Sequence, residues 1–255
     1  MTATINTFKQ HLLAGQQQIG GWTLSGSATV AEAMAFIGYD YLVVDLEHSP
    51  ASIHDTTPLL RAIEQTETAP VIRMPGHDPV AIKQVLDQGG MTLYFPFVES
   101  VVEAEAIVQA SLYPPVGKRG FAKMHRASRY TTRVDYPDAA NRQVCLIPQL
   151  ETPEALELAV EIGSLAGIDA VFIGPGDLSV SMGYPGQVNH PEVRALITQC
   201  VARCRDAGIP VGTVLPTPED VRWAFETGFS FVSIANDLAN LLGTCRTHLQ
   251  AARQK

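Results

Sequence analysis

Eight short apolar runs alternate with stretches of helical period along this chain, and that alternation restricts the fold more than any other feature. The runs cover 20–24, 41–45, 70–73, 91–95, 144–149, 168–173, 211–214 and 229–234. Helical spacing covers 28–37, 52–66, 79–88, 100–110, 153–162, 191–207, 218–226 and 237–252, after a short amphipathic helix over 5–14. Strands that alternate with helices imply a parallel sheet. Eight such units in a chain of 255 residues imply a closed (β/α)8 TIM barrel, here a single domain over 1–255. An open doubly wound sheet is the competitor, and its first turn usually carries a GxGxxG loop. None is present, and no linker or composition shift marks a second domain.

Composition narrows the partners. Apolar residues make up 46% of the chain and charged residues 17%, as in a compact folded protein. The net charge of -8 argues against nucleic acid or an anionic membrane surface, since both attract basic patches. No run approaches the ~18 apolar residues that span a bilayer. The first fifteen residues lack a long apolar signal core. Cys145, Cys200, Cys204 and Cys245 include no CxxC pair, so reduced thiols in a cytoplasmic protein are expected, not a structural zinc site.

One stretch exceeds a minimal barrel. Residues 112–143 carry Tyr113-Pro114-Pro115 and a basic run of Lys118, Arg119, Lys123, Arg126, Arg129 and Arg133. Long connections of this kind are often functional. A solvated surface loop, a cover over the barrel mouth and a subunit contact all remain open.

In such a barrel the site lies at the C-terminal ends of the strands. That rule selects Asp45, Glu47 and His48 after the second strand and Arg73 on the third. It selects Gln149 and Glu151 on the fifth, Asp177 and Ser179 after the sixth, and Leu215 and Pro216 after the seventh. Residues two apart in a strand face the same way, so Gln149 and Glu151 share a face. Glu151 and Asp177 end neighbouring strands. Together they can hold one hard divalent cation, Mg or Mn, that takes oxygen ligands and keeps several waters. Each residue has a plainer reading. Asp177 and Glu151 could start helices, Arg73 could form an ion pair with Asp45, and His48 could be an ordinary loop histidine. Asp87 reads as a helix-surface carboxylate. A Schiff-base route needs a lysine at a strand end, but Lys83, Lys118 and Lys123 fall in a helix or in the long segment.

Asp45-Leu46-Glu47-His48-Ser49-Pro50 resembles the D-x-E-H-[AS]-P segment of the HpcH/HpaI aldolase family. The likeness continues through Arg73, Asp78-Pro79-Val80, Asp87-x-Gly89, Tyr113-Pro114-Pro115, Arg126-Ala127-Ser128-Arg129, Gln149-Leu150-Glu151-Thr152 and Gly174-Pro175-x-Asp177-Leu178-Ser179. It spans nearly the whole chain in order.

This resemblance implies a class II, metal-dependent aldolase. The reaction would be reversible addition of pyruvate or hydroxypyruvate to an aldehyde, giving a 4-hydroxy-2-oxo acid. It implies Glu151 and Asp177 as ligands of a divalent metal, Mg or Mn, with Co, Zn or Ni also accommodated. It implies Arg73 beside the keto oxygen, His48 in proton transfer and Asp87 as the acid that orients His48. Asp45 and Glu47 would support the site. Gln149, Leu215 and the backbone of Gly174, Pro175, Gly176, Asp177 and Ser179 would contact substrate. It further implies a homohexamer with helix 237–252 exchanged between subunits. Position 176 is Gly where many relatives have Ala, and His125 beside Arg126 is unusual. Rival readings are oxaloacetate decarboxylation, CoA-thioester cleavage, and a non-catalytic binding barrel.

Overall fold

The computed structural model describes residues 5–254. The part of the N-terminal reading that falls on residues 1–4, and residue 255, lie outside them. In chain order the elements are α1 (Thr7–Leu13), β1 (Gln18–Thr23), α2 (Ala28–Ala35), β2 (Tyr41–Asp45), α3 (Thr56–Ile63), β3 (Ala69–Arg73), α4 (Pro79–Gln88), β4 (Thr92–Phe95), α5 (Val101–Ser111) and α6 (Tyr136–Gln143). Next come β5 (Cys145–Leu150), α7 (Pro153–Glu157), α8 (Ala159–Gly163), β6 (Val171–Ile173), α9 (Pro175–Ser181), α10 (Pro191–Asp206), β7 (Val211–Leu215), α11 (Pro218–Thr227), β8 (Phe231–Asn236) and α12 (Asp237–Arg253). The strands pair in chain order and β8 closes on β1. Every pairing is parallel. The (β/α)8 expectation holds.

Two local readings change. The single helix expected over 153–162 is two short helices, broken at Leu158. Helix α6 was not anticipated. Its apolar signal is only Tyr136, Ala139 and Ala140, one buried stripe at helical spacing in an otherwise polar sequence.

The core has two layers, set by strand alternation. Tyr41, Val43, Val71, Tyr94, Ile147, Phe172 and Phe231 point into the barrel and pack on each other. Their strand neighbours point outward and pack under the helices. Helix α1 closes the bottom, with the Phe8 ring 5.1 Å from Tyr41 and 5.3 Å from Phe231. The mouth at the other end is left open.

Each helix runs back from the mouth, so the segment 112–143 after α5 starts and ends at the bottom. Val144, at its end, precedes the first residue of β5. It therefore does not cover this chain's own mouth, which corrects that expectation. It is anchored there by Lys118 N–H donating to Gln109 O (2.7 Å) and by Tyr113 N–H donating to Asn141 Oδ1 (2.8 Å).

Candidate active site

Strand alternation carries the polar groups inward at the mouth. On β2, Tyr41 and Val43 face the interior, so Asp45 does too. On β3, Ala69 and Val71 do the same for Arg73, and on β5, Cys145 and Ile147 do so for Gln149. Asp45 and Arg73 are also register partners across β2 and β3.

Asp45 is fully buried and holds Arg73 in a two-pronged ion pair. Arg73 Nε donates to Oδ1 at 2.8 Å and Nη2 to Oδ2 at 2.6 Å. The ion-pair reading of Arg73 is thus realised, and it occurs inside the mouth. Asp45 Oδ1 also accepts the backbone N–H of Glu47 (2.9 Å) and of His48 (3.3 Å), which folds the following loop over the strand end. Arg73 Nη1 lies 3.0 Å from Glu47 Oε2, but off the hydrogen-bond line, so that oxygen is buried without a directed partner. The opposite face of the guanidinium stacks 4.5 Å over Trp22. Burial raises the Glu47 carboxyl, and Arg73 works against that rise.

Glu151 is 3% exposed. The start of α7 is capped by the Thr152 hydroxyl, not by Glu151. Glu151 Oε2 accepts the Phe97 N–H at 2.8 Å. Phe97 has φ 48°, a backbone region that non-glycine residues seldom enter and that clusters at functional sites. Burial pushes the Glu151 carboxyl up to about 7; the Phe97 N–H opposes this, and the nearby Asp177 and Glu47 carboxylates add to it.

Asp177 sits in the first turn of α9, whose N-cap is Gly174, and no side chain caps that helix. Its carboxylate makes no hydrogen bond among the described residues. Gly174 is required where it stands: a Cβ there would lie 2.4 Å from Glu151 Oε1. Gly176 has no such restriction, since nothing lies within 4 Å of an added Cβ.

The pair fits a hard divalent cation. Glu151 is a buried acid close to two other acids, and a bound cation would relieve that repulsion. Among the described residues no group of three or more His, Cys, Asp or Glu converges on one point. A pair of carboxylates is an open oxygen-donor site, unlike the closed cage of a structural zinc centre.

The remaining sequence candidates divide. Gln149 is buried with Oε1 unpartnered. Pro175, Gly176, Leu215 and Arg73 line the mouth cavity. His48 is on the rim, with its side chain 60% exposed and Nε2 3.7 Å from Glu47 Oε1. Ser179 is buried and donates its hydroxyl to Gly176 O (2.6 Å), which stabilises the turn. Asp87 lies at the end of α4, beside the turn into β4, at the opposite end of the barrel from His48. It binds Arg119 (2.5 Å) and faces His125 (3.9 Å). Within one chain it does not orient His48, and the surface reading fails too, because Arg119 is buried. Trp22 and Phe97 were missed. An aromatic in a strand and a loop amide carry no local signal of a site.

A closed barrel with inward acids and one arginine at its mouth is the frame of an enzyme that handles a small anionic substrate. Comparison with known proteins specifies which. The model of the HpcH/HpaI aldolase/citrate lyase family matches residues 18–243. The chain is 44% identical over 232 residues to a hydroxypyruvate/pyruvate aldolase of Sagittula stellata, covering 91% of this chain and 92% of that one. It is 42% identical over 235 residues to a 2-dehydro-3,6-dideoxy-6-sulfogluconate aldolase of Pseudomonas putida, covering 92% of each. A solved HpcH/HpaI family protein from Burkholderia cenocepacia superposes with a TM-score of 0.93 at 35% identity, over 98% of this chain and 100% of that one. The chain belongs to the HpcH/HpaI aldolase family. It is a class II aldolase, a carbon–carbon lyase that uses a divalent metal. No helix among the described residues is long and apolar enough to cross a membrane.

Proposed function

We propose that this enzyme adds pyruvate or hydroxypyruvate, as the enolate, to an aldehyde and reverses that reaction. The observation that carries the reading is the buried Glu151, close to Asp177, Glu47 and the fixed Arg73. Glu151 and Asp177 would hold Mg or Mn. When bound, the metal supplies a Lewis acid at the donor's keto and carboxylate oxygens.

The chain's own groups account for the rest. Arg73 holds a permanent positive charge where the keto oxygen becomes negative, and Asp45, Glu47 and Trp22 fix its position before substrate arrives. His48 is the acid/base on the rim. It takes a proton from the donor's methyl or hydroxymethyl carbon. The new C–C bond forms between that carbon and the aldehyde carbon, and the aldehyde oxygen receives the proton, so none is gained or lost overall. Gln149 presents its amide to the donor, and the turn from Gly174 to Asp177 receives the donor carboxylate.

Asp87 belongs to this scheme only across subunits. Its place at the barrel bottom means that a neighbouring copy would have to bring it to His48. We propose a homohexamer for that reason, with α12 exchanged between copies. The exposed Leu241, Leu242 and Leu249 on α12 support that exchange. All four cysteines are free thiols, which supports a cytoplasmic location. Hydrogen–deuterium exchange at the pyruvate methyl group, with and without Mg or Mn, tests the reading. Exchange that requires metal supports it; no exchange under either condition refutes it and favours a binding barrel.

A further inference from the structure

Phe97 donates its backbone N–H to Glu151 Oε2 at 2.8 Å, and the other end of the same peptide unit is also held. Pro96 O lies 2.6 Å from His77 Nε2. A carbonyl only accepts, so the ring must donate at that atom. We propose that His77 is a positioning residue: through the Pro96–Phe97 peptide it keeps the Phe97 N–H aimed at Glu151 and so readies that carboxylate for its dication. The proposal rests on the reading of Glu151 as a metal ligand and deepens it.

The Pro96–Phe97 bond is trans, since the one cis bond among the described residues is Pro114–Pro115. In a planar trans peptide the C=O and N–H point in opposite directions, so holding the carbonyl aims the amide. Phe97 has φ 48°, where a non-glycine residue is strained. Rotating this peptide plane by half a turn relieves the strain, because it returns φ to negative values. The same rotation would take the N–H away and set the Pro96 carbonyl oxygen against the Glu151 carboxylate. The Phe97 side chain is 43% exposed, so its burial supplies little to oppose that turn. Local hydrogen bonds must oppose it, and His77 makes the one at the carbonyl.

His77 is itself well anchored. The next residue, Asp78, caps α4 by accepting from the N–H groups of Val80 and Ala81, which fixes the backbone beside His77. The imidazole meets the buried Phe95 ring edge-on, with centroids 6.3 Å apart. Val98 N–H donates to Gln149 O at 3.1 Å and pins the far side of the loop to β5. The link thus runs from beyond the end of β3, across the loop after β4, to the acid that follows β5. Nε2 donates in the neutral Nε2–H form and in the protonated ring alike, so the link does not depend on the ring's charge. Hydrogen bonds in such a chain polarise one another, and groups that orient a metal ligand tune its affinity.

The test is calorimetric titration of Mn into the metal-free full-length enzyme, with melting curves taken beside it. His77→Phe keeps a ring against Phe95 and removes the donor; His77→Gln keeps a donor and removes the ring. His77→Phe should raise the Mn Kd about threefold to tenfold, the value of one hydrogen bond. His77→Gln should stay within about twofold of the parent. His77→Leu replaces the Phe variant if that ring disturbs the fold, with the same expectation. Parent-like Mn affinity without the donor, or a loss in the Gln variant as large as in the Phe variant, overturns this inference and leaves Glu151 as a ligand. A parent chain that binds no Mn overturns both.

Discussion

Arg73 reaches Asp45 through two parallel hydrogen bonds of 2.8 and 2.6 Å inside the barrel mouth, so the group that would stabilise the developing negative charge is fixed before any substrate enters. Asp45 is fully buried and Arg73 nearly so. Removing one partner of such a pair leaves an uncompensated charge, at a cost of about 3–5 kcal/mol. Asp45→Ala is expected to lose stability on that scale in urea unfolding, and to lose aldol rate because Arg73 is released. Arg73→Ala should lower the rate by ~10²–10³, as for loss of an oxyanion donor; a loss under about tenfold would count against that role.

The two glycines of the Gly174-Pro175-Gly176 turn should behave oppositely. Gly174→Ala forces a methyl group against Glu151 Oε1 and should weaken Mn binding, read by calorimetric titration. Gly176→Ala meets nothing within 4 Å and should bind Mn as the parent does.

Glu151→Gln and Asp177→Ala should abolish metal-dependent turnover while the chain stays folded. Glu151 is held against burial and against neighbouring acids. Its neutral replacement should therefore melt no lower than the parent in metal-free buffer. A large fall in melting temperature would show that the carboxylate is structural.

Asp237 supplies a pH signature. Burial works to raise its carboxyl, yet hydrogen bonds from Ser25, Leu24 and Leu238 prevail and hold it below the usual carboxylate range. A lowered native pKa contributes stability that is present above the unfolded value, about 3.9, and is lost as pH falls through the native one. Asp237→Asn should therefore be less stable than the parent at neutral pH. The gap should narrow in chemical denaturation as pH drops below about 4. A gap independent of pH would mean that shape, not charge, is what matters at this position.

Much of the site was legible before any coordinates. Period two along β2, β3 and β5 is a property of the extended backbone, so the inward direction of Asp45, Arg73 and Gln149 follows from counting. The place of Asp177 follows from Gly-Pro-Gly after an apolar run. Asp87 was legible only as a residue, because its distance from His48 depends on the direction in which α4 runs. The use of the Ser179 hydroxyl within its turn, on Gly176 O, was not legible, since it depends on how that turn closes. Trp22 and Phe97 gave no signal, since each matters through what a distant strand brings to it.

The sequence by itself determined the barrel, the order of its strands and which side chains enter its mouth. These depend on local periodicity and on the need to bury each apolar face. Only the tertiary structure decided that Trp22 lies over Arg73, that a strained amide points at Glu151, and that the long basic segment lies at the far end from the mouth. Those facts depend on how strands far apart in sequence align when the sheet closes, and no short stretch of chain encodes that alignment.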